Sequence, residues 1–302
     1  MIKKTQALIE ALKQDNTGCE AIVLYQNGEN VLEHRFVDAG ARQIYSHTKS
    51  FISTAVGMAI DEGKLKLSDR IIDIFPDYES VITDENVKNI ELRHLLTMSS
   101  GFGGGFLMCP GRRSGEGVPD YIAYMLAKPL AYKSGEKFFY SNADTHLAGC
   151  MAQRAVGETL NNYLYRKLFS KLDMGYPAWE VSPDGTPFGG SGLYLDIKDM
   201  MKLGILYLNE GVWNGEQLVS KEWVKAATSR HIKAWDYGPW SEGYGYQFWI
   251  VGQQPNAYRA DGAYGQLSIV LPEENAVLAT QCSEKNDTAR FNKLLFKYVI
   301  GE

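Results

Sequence analysis

Cysteine is scarce and unpatterned. Cys19, Cys109, Cys150 and Cys282 have neither the paired spacing of a disulfide framework nor that of a zinc site. The five histidines are scattered, with no i,i+4 pair and no carboxylate cluster, so no metal is expected. No apolar run approaches the ~20 residues that span a bilayer. Residues 1–13 read as an amphipathic helix without the apolar centre and small-residue cleavage site of an export signal. A cytoplasmic protein with reduced thiols and no membrane partner is therefore expected. Basic patches are absent too: the net charge is −5 and no Lys/Arg cluster overrides it, which argues against nucleic acid as a partner. Repeats, low-complexity tracts and linkers are not apparent. The glycine-rich stretch 99–117 lacks the terminal Gly-Lys-Ser/Thr and the preceding strand of a nucleotide P-loop. It reads as a mobile loop, and no cofactor is expected.

What is present is ordinary globular material. A chain of 302 residues with 45% hydrophobic and 22% charged content can hold one large domain. Residues 20–25 and 31–36 read as strands joined across Asn27-Gly28, a strong hairpin signal. The run 51–60 is apolar on nearly every side, the mark of a central buried helix, and Gly63 is a fitting stop. Helices are expected over 90–96, 120–130, 143–156, 160–172, 196–209 and 220–229. Strands are expected over 244–251, 257–260, 266–271 and 276–282, with a last helix capped by Asp287. The fold class is thus α+β: an antiparallel sheet from both chain ends (about 1–65 and 243–302), flanked by terminal helices. A mostly helical region (about 66–242) is inserted between them.

Three segments carry chemistry. In Ser46-His47-Thr48-Lys49, a three-residue helical spacing brings hydroxyl and amine to one face. A serine is a weak nucleophile until a base takes its proton, and a buried lysine can be that base. Ser46 as a plain N-cap and Lys49 as a solvated residue is the bland alternative. The second segment is Tyr140-Ser141-Asn142, and the third runs from Ala260-Asp261-Gly262-Ala263-Tyr264 into a strand ending at Pro272.

Together these segments resemble the serine β-lactamase and penicillin-binding-protein superfamily. The likeness is to its class C-like branch, with family VIII carboxylesterases and 6-aminohexanoate-dimer hydrolases. The segments 93–101, 189–194 and 199–213 fit the same branch, so the likeness covers nearly the whole chain. It implies Ser46 as the acyl-forming nucleophile and Lys49 as base or proton shuttle. Tyr140 would assist as a general base, its phenolate favoured by a cationic lysine. Asn142 would bind substrate or fix Lys49, and the N–H groups of Ser46 and Ala263 would form an oxyanion hole. Asp261, Gly262 and Tyr264 would line the substrate site, with Phe102, Trp179, Trp235, Trp240 and Tyr244 as further candidate walls. His47, beside the nucleophile, is expected at the pocket wall or surface.

One departure bears on substrate. Where β-lactamases carry Lys or His followed by Thr or Ser, this chain has Ala260 and Asp261. Arg259 should not share Ala260's face of the strand, since neighbours alternate. Weak β-lactam recognition is therefore expected, and the substrate is expected to be a small neutral or amine-bearing ester or amide. A β-lactamase or D-amino-acid amidase is the first alternative, and a non-catalytic acyl-binding or scaffold relative the second.

Overall fold

The computed structural model describes residues 1–235 and 240–301. The hairpin forms first in the chain. β1 (Cys19–Gln26) and β2 (Glu29–Arg35) are joined by Asn27 and Gly28, both at positive φ, the pair a tight hairpin turn of this hand requires. After a long helical excursion the chain returns to add β3 (Gly243–Tyr244), β4 (Trp249–Ile250), β5 (Tyr258–Gly262), β6 (Gln266–Leu271) and β7 (Ala276–Cys282). Among the described residues these make a seven-stranded antiparallel sheet, ordered β2-β1-β7-β6-β5-β4-β3. The first and last strands pair inside it, as the second and third in order, with Val23 opposite Ala279. The stretch 244–251 is not one strand, as its pattern suggests, but two short ones around a turn at Gln247, whose φ is 65°.

Alternation along the strands builds a core on each face. Ile22, Leu24, Ile269 and Leu278 pack under α1 (Ile2–Asp15) and a C-terminal helix, with Leu8, Leu12, Phe291 and Leu295. Ala21, Val23, Val277 and Ala279 face the larger, helical side. There α2 (Thr48–Asp61) is buried nearly end to end, as its all-round apolar composition demands. It packs on α3 (Asn142–Val156), while α4 (Ile197–Leu208) lies across the central strands. The final helix is α5 (Thr288–Leu295), capped by Asp287, whose carboxylate accepts from Arg290 N.

The glycine-rich stretch is irregular for most of its length, with two buried anchors and one helical turn. Phe102 and Leu107 are buried, and Cys109–Arg113 forms a short helix. That segment, α2, the start of α3 and the β5 end of the sheet meet at one cavity.

Candidate active site

Ser46 sits in a single 3-10 turn, Tyr45–His47, immediately before α2. Tyr45 holds a left-handed φ of 48°, a conformation that costs a non-glycine residue on the order of 1 kcal/mol or more. It is held there by its hydroxyl, which donates to Glu284, and by its ring, 5.1 Å from that of Tyr264. The strain lies one residue from the hydroxyl that it aims.

Lys49, one turn on, is fully buried. Its Nζ lies 3.2 Å from Ser46 Oγ and 2.6 Å from Asn142 Oδ1, and donates also to the carbonyl of Gly190. The cap on α3 explains Asn142: Ser141 Oγ accepts from Ala143 N, leaving Asn142 as the first helical residue. Its Nδ2 donates to Leu107 O at 3.1 Å, so its Oδ1 must face Lys49. Asn142 Oδ1 and Gly190 O can only accept. They therefore claim two protons of Nζ, and a neutral amine would turn its lone pair to Ser46. Burial, reinforced by the Arg112 guanidinium, holds Lys49 well below the ordinary lysine range, so that neutral form is favoured.

Tyr140 lines the same cavity as Ser46, near enough for the serine to act on its phenol, and its ring centre is 5.0 Å from Lys49 Nζ. The ring stacks on Trp249 at 5.7 Å and meets Tyr244 edge-on at 6.4 Å. This apolar setting decides its protonation. Burial pushes the phenol above its ordinary value, Asp261 adds to that, and the nearby Ser46 hydroxyl and Arg259 oppose it without prevailing. The phenolate expected from a cationic lysine is therefore disfavoured: the lysine is the group with the lowered value, and the phenol keeps its proton.

Opposite the nucleophile runs β5. Its Gly262 is a forced choice, since a Cβ there would fall 2.1 Å from Ile44 O and 3.2 Å from His47 N. That close approach brings Ala263 to the cavity that Ser46 lines. The cavity holds about 780 Å³ and is lined by Tyr140, Trp235, Trp240, Trp249 and Met108 on one side. Ala289, Lys293 and Phe296 reach it from the C-terminal end.

The residues singled out in the sequence divide. Ser46, Lys49, Tyr140, Asn142, Asp261, Gly262 and Ala263 come together here, and Trp235 and Trp240 line the cavity. Tyr264, at φ 67°, turns its half-exposed ring to Tyr45 and leaves the wall to Ala263. Phe102 is core, Trp179 donates to Phe188 O, and Tyr244 lies buried behind Tyr140. His47 is neither wall nor surface. It is fully buried, its Nε2 2.9 Å from Ser268 Oγ, and burial drives it down to about 3.

Arg259 and Ala260 do face opposite sides of β5, but in the other phase. Ala260 is the residue that points into the core, and Arg259 the one that lines the cavity with Asp261. A cation does stand in the third segment, then. It is occupied: Arg259 Nε donates to Asp261 Oδ2 at 2.8 Å, and the guanidinium lies 4.3 Å from the Trp240 ring centre.

A serine hydroxyl within reach of a buried amine, with a phenol and strand β5 on the walls of the same apolar cavity, defines a serine hydrolase. Residues 6–295 match the family described as Beta-lactamase, and the chain belongs to that family. It is 23% identical over 287 residues to the 6-aminohexanoate-dimer hydrolase of Paenarthrobacter ureafaciens, covering 87% of this chain and 72% of that one. A Bacillus anthracis structure provisionally assigned as a 6-aminohexanoate-dimer hydrolase superposes with a TM-score of 0.81 at 18% identity, over 97% of this chain and 80% of that. The structure of EstCE1, a hydrolase with promiscuous acyltransferase activity, gives 0.75 at 16%, over 99% and 98%. At these identities the structural likeness speaks for the fold. Among the described residues no helix is long and apolar enough to cross a membrane.

Proposed function

We propose that the protein cleaves a small ester or amide through an acyl-enzyme on Ser46. The observation that carries this is Lys49 Nζ, 3.2 Å from Ser46 Oγ, with its other partners Asn142 and Gly190 both acceptors. The Ser46 proton passes to the Lys49 amine as Oγ attacks the substrate carbonyl. The developing oxyanion is held by the N–H groups of Ser46 and Ala263, donors of a kind worth roughly 3 kcal/mol each. As the C–O or C–N bond breaks, the Tyr140 hydroxyl gives its proton to the leaving group and is resupplied from the Lys49 ammonium. Water then enters, the ester to Ser46 is hydrolysed, and Oγ is reprotonated. Since burial lowers the amine and raises the phenol, Lys49 is the first acceptor and Tyr140 the donor.

The lining argues for the substrate class. Tryptophans and Met108 suit an apolar acyl chain, and the cation of Arg259 is already balanced by Asp261. A neutral ester or amide fits better than a carboxylate-bearing lactam. The name of one relative, a 6-aminohexanoate-dimer hydrolase, leans the same way. Asp261 leaves room for an amine-bearing acyl group, although its pairing with Arg259 weakens that reading.

The test is labelling by a fluorophosphonate, read by intact mass on the wild type and on Ser46→Ala. An adduct on the wild type alone is expected; no adduct on the wild type overturns the proposal in favour of a binding or scaffold role. A short-chain nitrophenyl ester run beside a chromogenic cephalosporin tests the substrate class, and efficient cephalosporin turnover would reverse it.

A further inference from the structure

Behind the cavity, outside the groups that touch substrate, one side chain joins the two supports of Lys49. Arg112 lies on the short helix Cys109–Arg113, and only 8% of its side chain is exposed. Its Nε donates to Leu107 O at 3.1 Å, the same carbonyl that orients Asn142. One terminal nitrogen donates to Ser191 Oγ at 3.1 Å, next to Gly190, whose carbonyl binds Lys49. Both terminal nitrogens reach the Glu180 carboxylate, and the guanidinium carbon sits 3.8 Å from the centre of the Phe188 ring. Leu107 holds a left-handed φ of 54°, unusual for a branched residue, and its carbonyl takes both the Arg112 and the Asn142 bonds.

We propose that Arg112 is a positioning residue: its planar fork locks the Leu107 and Ser191 segments together, and so fixes the two acceptors that aim Lys49 at Ser46. This rests on the hydrolase reading above. A lysine could supply the charge but not the fork, because three donors on a flexible stem do not reproduce a rigid planar set. The same guanidinium is also a positive neighbour of the Lys49 amine and disfavours its protonation. Glu180 tempers that effect by pairing with Arg112. The other titratable groups on elements packed about Lys49 are Tyr140, Asp144 and His146 at the start of α3, His47 on its own turn, and the Arg259–Asp261 pair on β5. The substitutions below leave all of these in place.

Wild type, Arg112→Met, Arg112→Lys and Glu180→Gln are compared for kcat, KM and the pH dependence of kcat/KM on a short-chain nitrophenyl ester. Arg112→Met is expected to lose kcat by roughly 100-fold, the scale of an ångström-sized misplacement, with KM within about threefold. Its acidic limb should move to higher pH, since a positive neighbour of Lys49 is gone. Arg112→Lys should lose kcat with its limb near the wild-type position. Glu180→Gln should move the limb to lower pH, since the guanidinium is then uncompensated. Limb shifts of opposite sign are not produced by a loss of packing alone. Should Arg112→Met fail to fold, the other two variants still decide the matter. Arg112 variants with wild-type kcat per folded molecule, or limbs that stay put or move together in the Met and Gln variants, would overturn the proposal. A wild type that takes no fluorophosphonate removes both proposals, whereas a labelled wild type with unshifted variants removes this one alone.

Discussion

The packing of Gly262 against the nucleophile turn allows one substitution to be worked through. In Gly262→Ala the new Cβ would lie 2.1 Å from Ile44 O. Carbon and carbonyl oxygen do not approach closer than about 3.3 Å without repulsion, so the strand and the turn must part by about 1 Å. Both partners are backbone, and no side-chain rotation relieves the clash. The displacement falls between Ser46 and Ala263, the two donors assigned to the oxyanion. A misplacement of that size costs about 100-fold in rate, equivalent to roughly 2.7 kcal/mol of barrier. The overpacking should also cost about 1–3 kcal/mol of stability. The assay is kcat/KM on a short-chain nitrophenyl ester, with a thermal melt to establish the folded fraction. Gly28→Ala is the control: at φ +91° with open space around it, it strains the hairpin far from the cavity, so its melt should drop and its activity per folded molecule should not. A folded Gly262→Ala acting within threefold of wild type would refute the account of how β5 and the turn share the site.

Other perturbations separate stability from chemistry. Asp261→Asn removes the charge that balances Arg259 and should raise the ratio of cephalosporin to neutral-ester kcat/KM by roughly tenfold, the scale of one charged hydrogen bond; an unchanged ratio would mean that Arg259 does not meet substrate. Gln247→Ala strips buried partners from Thr145 Oγ1 and from the carbonyls of Leu95 and Leu96, and should cost about 2–4 kcal/mol in a urea melt, a loss under 1 arguing against this tie. His47 is held at about 3 in the folded chain against about 6.5 unfolded. Only the unfolded chain takes up that proton between those values, so its contribution is complete above pH 6.5 and falls on acidification, by about 2.7 kcal/mol at pH 4.5. His146, lowered to about 4, acts in the same direction, while Asp144, raised to about 7, opposes both. His47→Gln should therefore flatten the loss of urea stability between pH 7.5 and 4.5, and parallel curves for the two proteins would contradict this.

Local chemistry was readable wherever neighbours in sequence decide it. Asn27-Gly28 dictates its hairpin, the all-round apolar run dictates a buried α2, and the Ser46–Lys49 spacing is fixed by the pitch of one turn. What escaped depends on residues far apart in the chain. The split of 244–251 follows from the left-handed Gln247, which is pinned by Ser50, Leu95, Leu96 and Thr145. Its consequence is that Trp249 stacks on Tyr140, a role that no local pattern announces. The phase of β5 depends on its pairing with β6, where Ser268 stands opposite Ala260. Alternation alone tells that Arg259 and Ala260 diverge but not which of them faces the cavity. The protonation of Tyr140 escapes local pattern for a similar reason: desolvation outweighs the nearby charges, and its aromatic neighbours come from distant segments.

The pairing of β1 with β7, the two ends of the chain's strand order, has a temporal side. During synthesis the serine, lysine and tyrosine leave the ribosome long before Ala263, and the gap between β1 and β6 stays open until residue 282 has emerged. At ~5–20 residues per second that interval is on the order of tens of seconds. Throughout it the N-terminal hairpin presents an unpaired edge, and the nascent polypeptide carries its nucleophile without the wall opposite. Hydrolytic competence would thus arrive late and all at once, when the last strand slots between its neighbours.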